Sequence, residues 1–125
     1  MSADSLFLGI DVGTSGCRAI AIDRAGDLHG AATTPLPAPA EHGRGREQEP
    51  ERWWQALRTV VAEIAAQLPC ARIEAIAVDG TSATLLLTDA TGRPLGPALM
   101  YHDARAVAQA QRIAAVAPAE SGAAE

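Results

Sequence analysis

The chain has 125 residues, 48% hydrophobic and 20% charged, the size and balance of one globular domain rather than of a disordered segment. Its net charge of -5, with ten basic residues scattered apart from Arg44 and Arg46, leaves no basic face for nucleic acid. The longest apolar runs, such as Leu6 to Ile10 and Leu85 to Leu87, fall far short of the ~20 residues that cross a bilayer, and no positively charged start precedes a signal-like segment, so a cytoplasmic protein is expected.

In chain order, Leu6 to Ile10 reads as a strand stopped by Asp11-Val12-Gly13-Thr14-Ser15-Gly16, and Arg18 to Asp23 as a second strand ending in the turn Arg24 to Asp27. Leu28 to Thr34 is a third strand, which completes a meander. Pro35, Pro37 and Pro39 and the Gly/Arg stretch Gly43 to Arg46 then predict a surface loop that cannot pair in a central sheet. Pro50 opens a helix: Trp53, Trp54, Leu57, Val60, Val61, Ile64, Ala65 and Leu68 recur at helical spacing until Pro69.

Ile73 to Val78 is the next strand, ending at Asp79-Gly80-Thr81-Ser82. Thr84 to Thr88 is a further strand, closed by Asp89-Ala90-Thr91-Gly92. Leu99 to Tyr101 is a brief extended piece. The Ala- and Gln-rich stretch from Asp103 to Val116 predicts a second helix with Asp103 as its cap and Pro118 as its stop, and the tail Ala119 to Glu125 offers nothing to bury. The order βββαββα implies an α/β fold with a mixed sheet. Aromatic residues make up only 3%, so the core is built from Ala, Val, Leu and Ile and is marginal unless more chain extends it.

Cys17 and Cys70 lie far apart without a CxxC pattern, and His29, His42 and His102 lack metal-ligand spacing, so structural thiols are expected rather than zinc or a disulfide. The segment from Asp11 to Arg18 carries the chemistry. An acidic residue at a strand end is followed by Gly13 and Gly16, which let backbone N–H groups approach a phosphate. Asp11 can hold Mg2+ directly or through its waters, Thr14 and Ser15 add hydroxyls, and Arg18 adds a fixed positive charge. The residues by themselves leave an ordinary hairpin turn open as the other reading. The loop is neither a Walker A sequence, lacking GK[ST], nor GxGxxG.

Leu8-Gly9-Ile10-Asp11-Val12-Gly13-Thr14-Ser15-Gly16-Cys17-Arg18 resembles the first phosphate motif of the FGGY carbohydrate kinases, members of the sugar kinase, heat-shock ATPase and actin superfamily with its ribonuclease-H-like fold. Glu47-Gln48-Glu49-Pro50-Glu51-Arg52-Trp53-Trp54 resembles the family's start of its first long helix. Ile73 to Thr84 resembles the strand and loop lining the sugar pocket, and Tyr101-His102-Asp103-Ala104-Arg105 resembles a later W-x-D-x-R element. Where many xylulose-type and glycerol-type members carry a Gln-containing motif, this chain has Asp79-Gly80-Thr81-Ser82-Ala83-Thr84, which looks most like ribulose kinases.

The resemblance implies an incomplete ribonuclease-H-like unit, residues 1–125 being the N-terminal portion of a first domain whose second domain is absent. It implies ATP-dependent phosphorylation of a ketopentose, ribulose ahead of xylulose, or of a similar polyol. Gly13, Thr14, Ser15, Gly16 and Arg18 would meet the phosphates of ATP, Asp11 the Mg2+, and Thr81, Ser82, Ala83 and Asp103 the sugar. Serine and threonine in the Ser82 to Thr84 segment have turn and strand chemistry as their other reading, Asp103 has a helix cap, and Arg105 an exposed surface charge. Trp53 and Trp54 are assigned to packing, since successive helical residues point in different directions. The general base and the adenosine pocket lie outside this chain in the family, so the fragment is expected to be inactive alone. It should also need the missing C-terminal half or a second copy to cover its sheet. A non-catalytic, actin-like interaction domain is the alternative that the same fold permits.

Overall fold

The computed structural model describes residues 5–116; Pro118 and the tail from residue 119 lie outside the described residues. Strand β1 (Leu6–Val12) pairs antiparallel with β2 (Gly16–Ile22), which pairs antiparallel with β3 (Leu28–Pro35). These strands form the expected meander, though β1 continues through Asp11 and Val12, so only residues 13–15 remain as the connecting loop. Helix α1 spans Pro50–Gln67, with Pro50 in its first turn where a missing N–H costs nothing, and it ends one residue before Leu68 and Pro69.

The predicted loop between β3 and α1 is the first correction. Within it, β4 (Ala40–His42) and β5 (Gly45–Gln48) form a short antiparallel hairpin. Pro35, expected in the loop, instead ends β3 opposite Gly16 on the sheet edge, while Pro37 and Pro39 follow it outside the main sheet and precede the hairpin rather than interrupt it. After a short 3-10 turn at Cys70–Arg72, β6 (Ile73–Gly80) returns parallel to β1, giving the mixed sheet order β3-β2-β1-β6.

The second correction concerns Thr84 to Thr88, which form no strand. Only isolated bridges hold this stretch, Leu85 to Leu99 and Thr88 to Pro94. The reason is competition: Asp89 Oδ1 accepts the N–H groups of Thr91 and Arg93, curling the chain back before a ladder can extend. The expected extended piece near Leu99 is β7 (Ala98–Leu99), which pairs with β5 and completes a second sheet of order β4-β5-β7.

Helix α2 spans Val107–Val116 and starts later than predicted. Asp103 does not cap it. Its carboxylate is taken by the backbone N–H of Arg46 at 2.7 Å and by the backbone and guanidinium of Arg105. Arg105 is an exposed surface charge, as expected, and it pairs with both Asp103 and Glu47 at 2.8 Å.

The core lies between the main sheet and α1. Ala56, Val60 and Ile64 recur at four-residue spacing on one helix face and cover Leu6, Leu8, Ile10, Cys17, Ala19 and Ala21. Small aliphatic side chains supply it, as the composition requires. At the far end of α1, the Gln67 amide bonds both the N–H and the C=O of Ala31, closing backbone groups of edge strand β3. Gly30 is needed there, because a Cβ would lie 2.9 Å from Leu68 Cδ2. The opposite edge is β6, where Ile76 and Val78 are exposed. Among the described residues no helix is long and apolar enough to cross a membrane. Cys17 is buried, Cys70 exposed, and both are free thiols.

Candidate functional site

The loop of residues 13–15 is built around a tight turn in which the Gly13 N–H donates to Gly16 C=O at 3.0 Å. Neither glycine has a positive φ; Gly16 is required for close approach to backbone, whereas beside Gly13 the flexible tip of Arg18 could move aside. A Cβ on Gly13 would lie 2.9 Å from the Arg18 guanidinium, and one on Gly16 would lie 3.0 Å from the Thr34 carbonyl oxygen. Behind the turn, carbonyls are held: Ser15 C=O accepts the Leu36 N–H at 2.9 Å, and Thr14 C=O accepts the Gln48 side-chain amide at 3.0 Å. The Thr14 and Ser15 N–H groups make no hydrogen bond among the described residues. The loop therefore presents donors forward and anchors acceptors behind, which suits an anion.

Asp11 and Arg18 are register partners across β1 and β2, and they form an ion pair on the sheet face away from α1. Asp79 is the register partner of Asp11 on the other side, in β6. All three line one open depression together with Gly9, Ile20 and Ala77. A half-exposed carboxylate there fits Mg2+, which binds through few protein ligands and keeps several waters. No cluster of three or more His, Cys, Asp or Glu side chains exists among the described residues, so further ligands for such an ion must be water or a phosphate group.

A second, more enclosed cavity of about 240 Å³ opens beside Gly13. It is lined by Val12, Gly13, Gln48, Trp53, Gly80, Thr81, Thr84, Leu86 and Met100. The volume is below the ~300–1,000 Å³ of drug-sized sites and is scaled to a small ligand. Here the two sequence-predicted loops meet: Thr14 Oγ1 and Thr81 Oγ1 lie 3.1 Å apart, and the Thr81 N–H donates to Val12 C=O at 3.3 Å. Ser82 and Ala83, predicted to meet the sugar, are exposed and do not line this cavity, and Ala83 sits at φ 55°, a left-handed conformation that costs about 1 kcal/mol for a residue with a Cβ. Asp103 does not line this cavity; its clamp on Arg46 and Arg105 fixes the loop that follows Met100, one of the lining residues.

Of the nine lining residues only Gly13 and Thr81 were among the sequence-predicted site residues; of the others, Trp53 and Gln48 are joined to each other. Trp53, assigned to packing alone, lines the cavity and donates its indole N–H to Gln48 Oε1 at 2.7 Å, while Trp54 is exposed. Gln48 is buried, and its amide N–H groups reach Thr14 C=O and Pro37 C=O. Both belong to the segment Glu47 to Trp54 singled out by motif, but the sequence carries no signal that their side chains join each other.

Residues 6–121 match the N-terminal domain of the FGGY family of carbohydrate kinases. The chain is 31% identical over 113 residues to a xylulose kinase of Escherichia coli (strain K12), covering 90% of this chain and 23% of that protein. It is 37% identical over 109 residues to a glycerol kinase of Gloeobacter violaceus, covering 86% of this chain and 22% of that protein. Among solved structures, a xyloylose kinase from Brucella ovis superposes with a TM-score of 0.82 at 34% identity, over 88% of this chain and 24% of the other. A Plasmodium falciparum glycerol kinase with ADP shares the fold at a TM-score of 0.73 and 14% identity, over 91% of this chain and 24% of the other. The chain thus spans less than a quarter of the length of these curated relatives.

Proposed function

The chain belongs to the FGGY family of carbohydrate kinases, and from that premise we propose that it forms the N-terminal portion of the first domain of an ATP-dependent kinase acting on a ketopentose or similar polyol. The observation that carries this reading is the meeting of Thr14 with Thr81 at 3.1 Å beside one small cavity, because it joins the phosphate-type loop to the sugar-type loop. In-line phosphoryl transfer requires that adjacency: donor and acceptor have to be held within reach of each other.

When bound, MgATP supplies the phosphoryl group. The N–H groups and hydroxyls of Thr14 and Ser15, between Gly13 and Gly16, would receive its phosphate oxygens, and Arg18 stands two residues beyond Gly16 on β2. Asp11 takes Mg2+, directly or through water. Thr81, Ser82 and Ala83 face the polyol, and Asp103 braces the cavity wall through Arg46 and Arg105. No residue of this chain is assigned as general base. The residues Asp79 to Thr84 favour ribulose as acceptor, whereas the named relatives are xylulose and glycerol kinases.

A chimera tests this, with the present chain replacing the matching N-terminal residues of the E. coli xylulose kinase. ADP release is measured with ribulose, xylulose and glycerol, alongside the chain by itself. The chimera is expected to turn over a ketopentose, ribulose with the higher kcat/KM, and the lone chain to stay at background. A folded, nucleotide-binding chimera with no transfer to any polyol would overturn the reading.

A further inference from the structure

Gln48 is the last residue of β5, is 4% exposed, and uses every polar position of its side chain. Its Nε2 donates both hydrogens to carbonyls, 3.0 Å to Thr14 and 2.9 Å to Pro37, and its Oε1 accepts the Trp53 indole N–H at 2.7 Å. A planar amide bonded in this way at three points has no rotamer freedom left, so a displacement at one partner is carried to the others. Trp53 and Gln48 line the cavity, while Thr14 belongs to the loop that presents its N–H groups forward.

We propose that Gln48 is a positioning residue that ties occupancy of the polyol cavity, sensed at Trp53, to the geometry of the phosphate loop at Thr14. The inference rests on the functional reading above and adds a coupling to it. The side chain has to be an amide. Glutamate would place a charged acceptor against two carbonyl oxygens, and an apolar side chain would leave those carbonyls and the indole N–H unpaired. The Thr14–Thr81 hydroxyl contact is a second tie on the same loop, so loss of Gln48 weakens the coupling without erasing it.

The test is a titration of the 125-residue chain with ribulose and with xylulose, followed by nuclear magnetic resonance of the Trp53 indole N–H and the Thr14 and Ser15 amides. The variant Trp54→Phe identifies the Trp53 indole signal. In the natural chain all three signals are expected to move with one common affinity. In Gln48→Leu the indole still responds, and the Thr14 and Ser15 responses fall at least about fivefold, the low end of typical coupling between sites. Trp53→Phe keeps a ring in the cavity and removes only the hydrogen bond, and it should show the same fall at Thr14 and Ser15; it decides alone if Gln48→Leu does not fold. An indole that ignores both sugars in the natural chain overturns the polyol reading of the cavity and this inference with it. An indole that responds while Thr14 and Ser15 keep their full response in the variants overturns this inference alone.

Discussion

Arg18 places two of its nitrogens on a single oxygen of Asp11, with Nε at 3.1 Å and Nη2 at 2.5 Å from Oδ2. Their antiparallel register makes this possible, since residues directly opposed across β1 and β2 project from the same face. The pair is about half exposed, so the attraction between the charges is worth at most about 1 kcal/mol. It orients the carboxylate and the guanidinium before any ligand arrives, yet an arriving cation or phosphate can separate them cheaply.

From this arrangement, Asp11→Asn in the chimeric kinase is expected to lower kcat by roughly a hundredfold, at about 1.4 kcal/mol per decade, while leaving the sugar KM within about twofold. Removing one carboxylate charge disturbs the metal and the moving phosphoryl group more than the polyol hydroxyls. Unchanged turnover would remove Asp11 from the metal-binding role. Urea unfolding should separate this from stability, which changes by less than about 1 kcal/mol for an exposed pair.

Ser82 is exposed in the segment between the cavity-lining Thr81 and Thr84, beside the left-handed Ala83. Ser82→Met is expected to change the ratio of kcat/KM between ribulose and xylulose by about tenfold, because the two epimers differ only in where a hydroxyl meets the wall. Steady-state kinetics of the chimera with both sugars decides it. A ratio that stays constant would take Ser82 out of sugar discrimination.

Thr84 Oγ1 is buried without a hydrogen-bond partner. A hydroxyl in that position bears a desolvation cost with nothing in return, so Thr84→Val, of nearly the same shape, is expected to stabilise the chain by about 1 kcal/mol. For a chain of this size that raises Tm by about 4 °C. Calorimetry measures it directly, and a lowered Tm would mean that the hydroxyl has a role in holding the cavity wall.

Asp103 carries the clearest pH signature. The Arg105 guanidinium, and after it the Arg46 N–H, hold its carboxyl far below the ordinary value of 3.8. A depressed folded-state value means that the unfolded chain binds the proton more readily. The stabilisation is therefore complete above about pH 4 and is lost as pH falls from there through the folded-state value. Asp103→Asn should lower stability at neutral pH and flatten the acid limb in urea midpoints measured from pH 6 downward. Asp23, lowered by its hydrogen bond from His29 and by the Asp27 N–H, and Asp89, lowered chiefly by Thr91, act in the same direction, so part of the slope remains. An unchanged slope would show that the Asp103 clamp does not exist in solution.

Much of the fold follows from local pattern. The apolar runs at Leu6 to Ile10 and Ile73 to Val78, and the helical spacing from Trp53 to Leu68, carry their own periodicity, and each became the element that its period dictates. The loops at strand ends were legible for a related reason: Asp, Gly, Thr and Ser cluster where a chain must turn and offer polar groups.

The second sheet was not legible. β4 and β5 are short and mostly polar, with no apolar alternation to mark them, and β5 is held by Arg46 and Gln48 finding partners in Asp103 and Thr14, residues 57 and 34 positions away. A long-range bond likewise turned Asp103 from a helix cap into a clamp, and Trp53, packed against the core as expected, also lines the cavity. By itself the sequence determined where the strands of the main sheet, the long helix and the turn at residues 13–15 form, since those depend on neighbours within a few residues. Only the tertiary structure decided which side chains share the cavity, because hydrogen bonds between distant backbone and side-chain groups depend on where the folded chain returns.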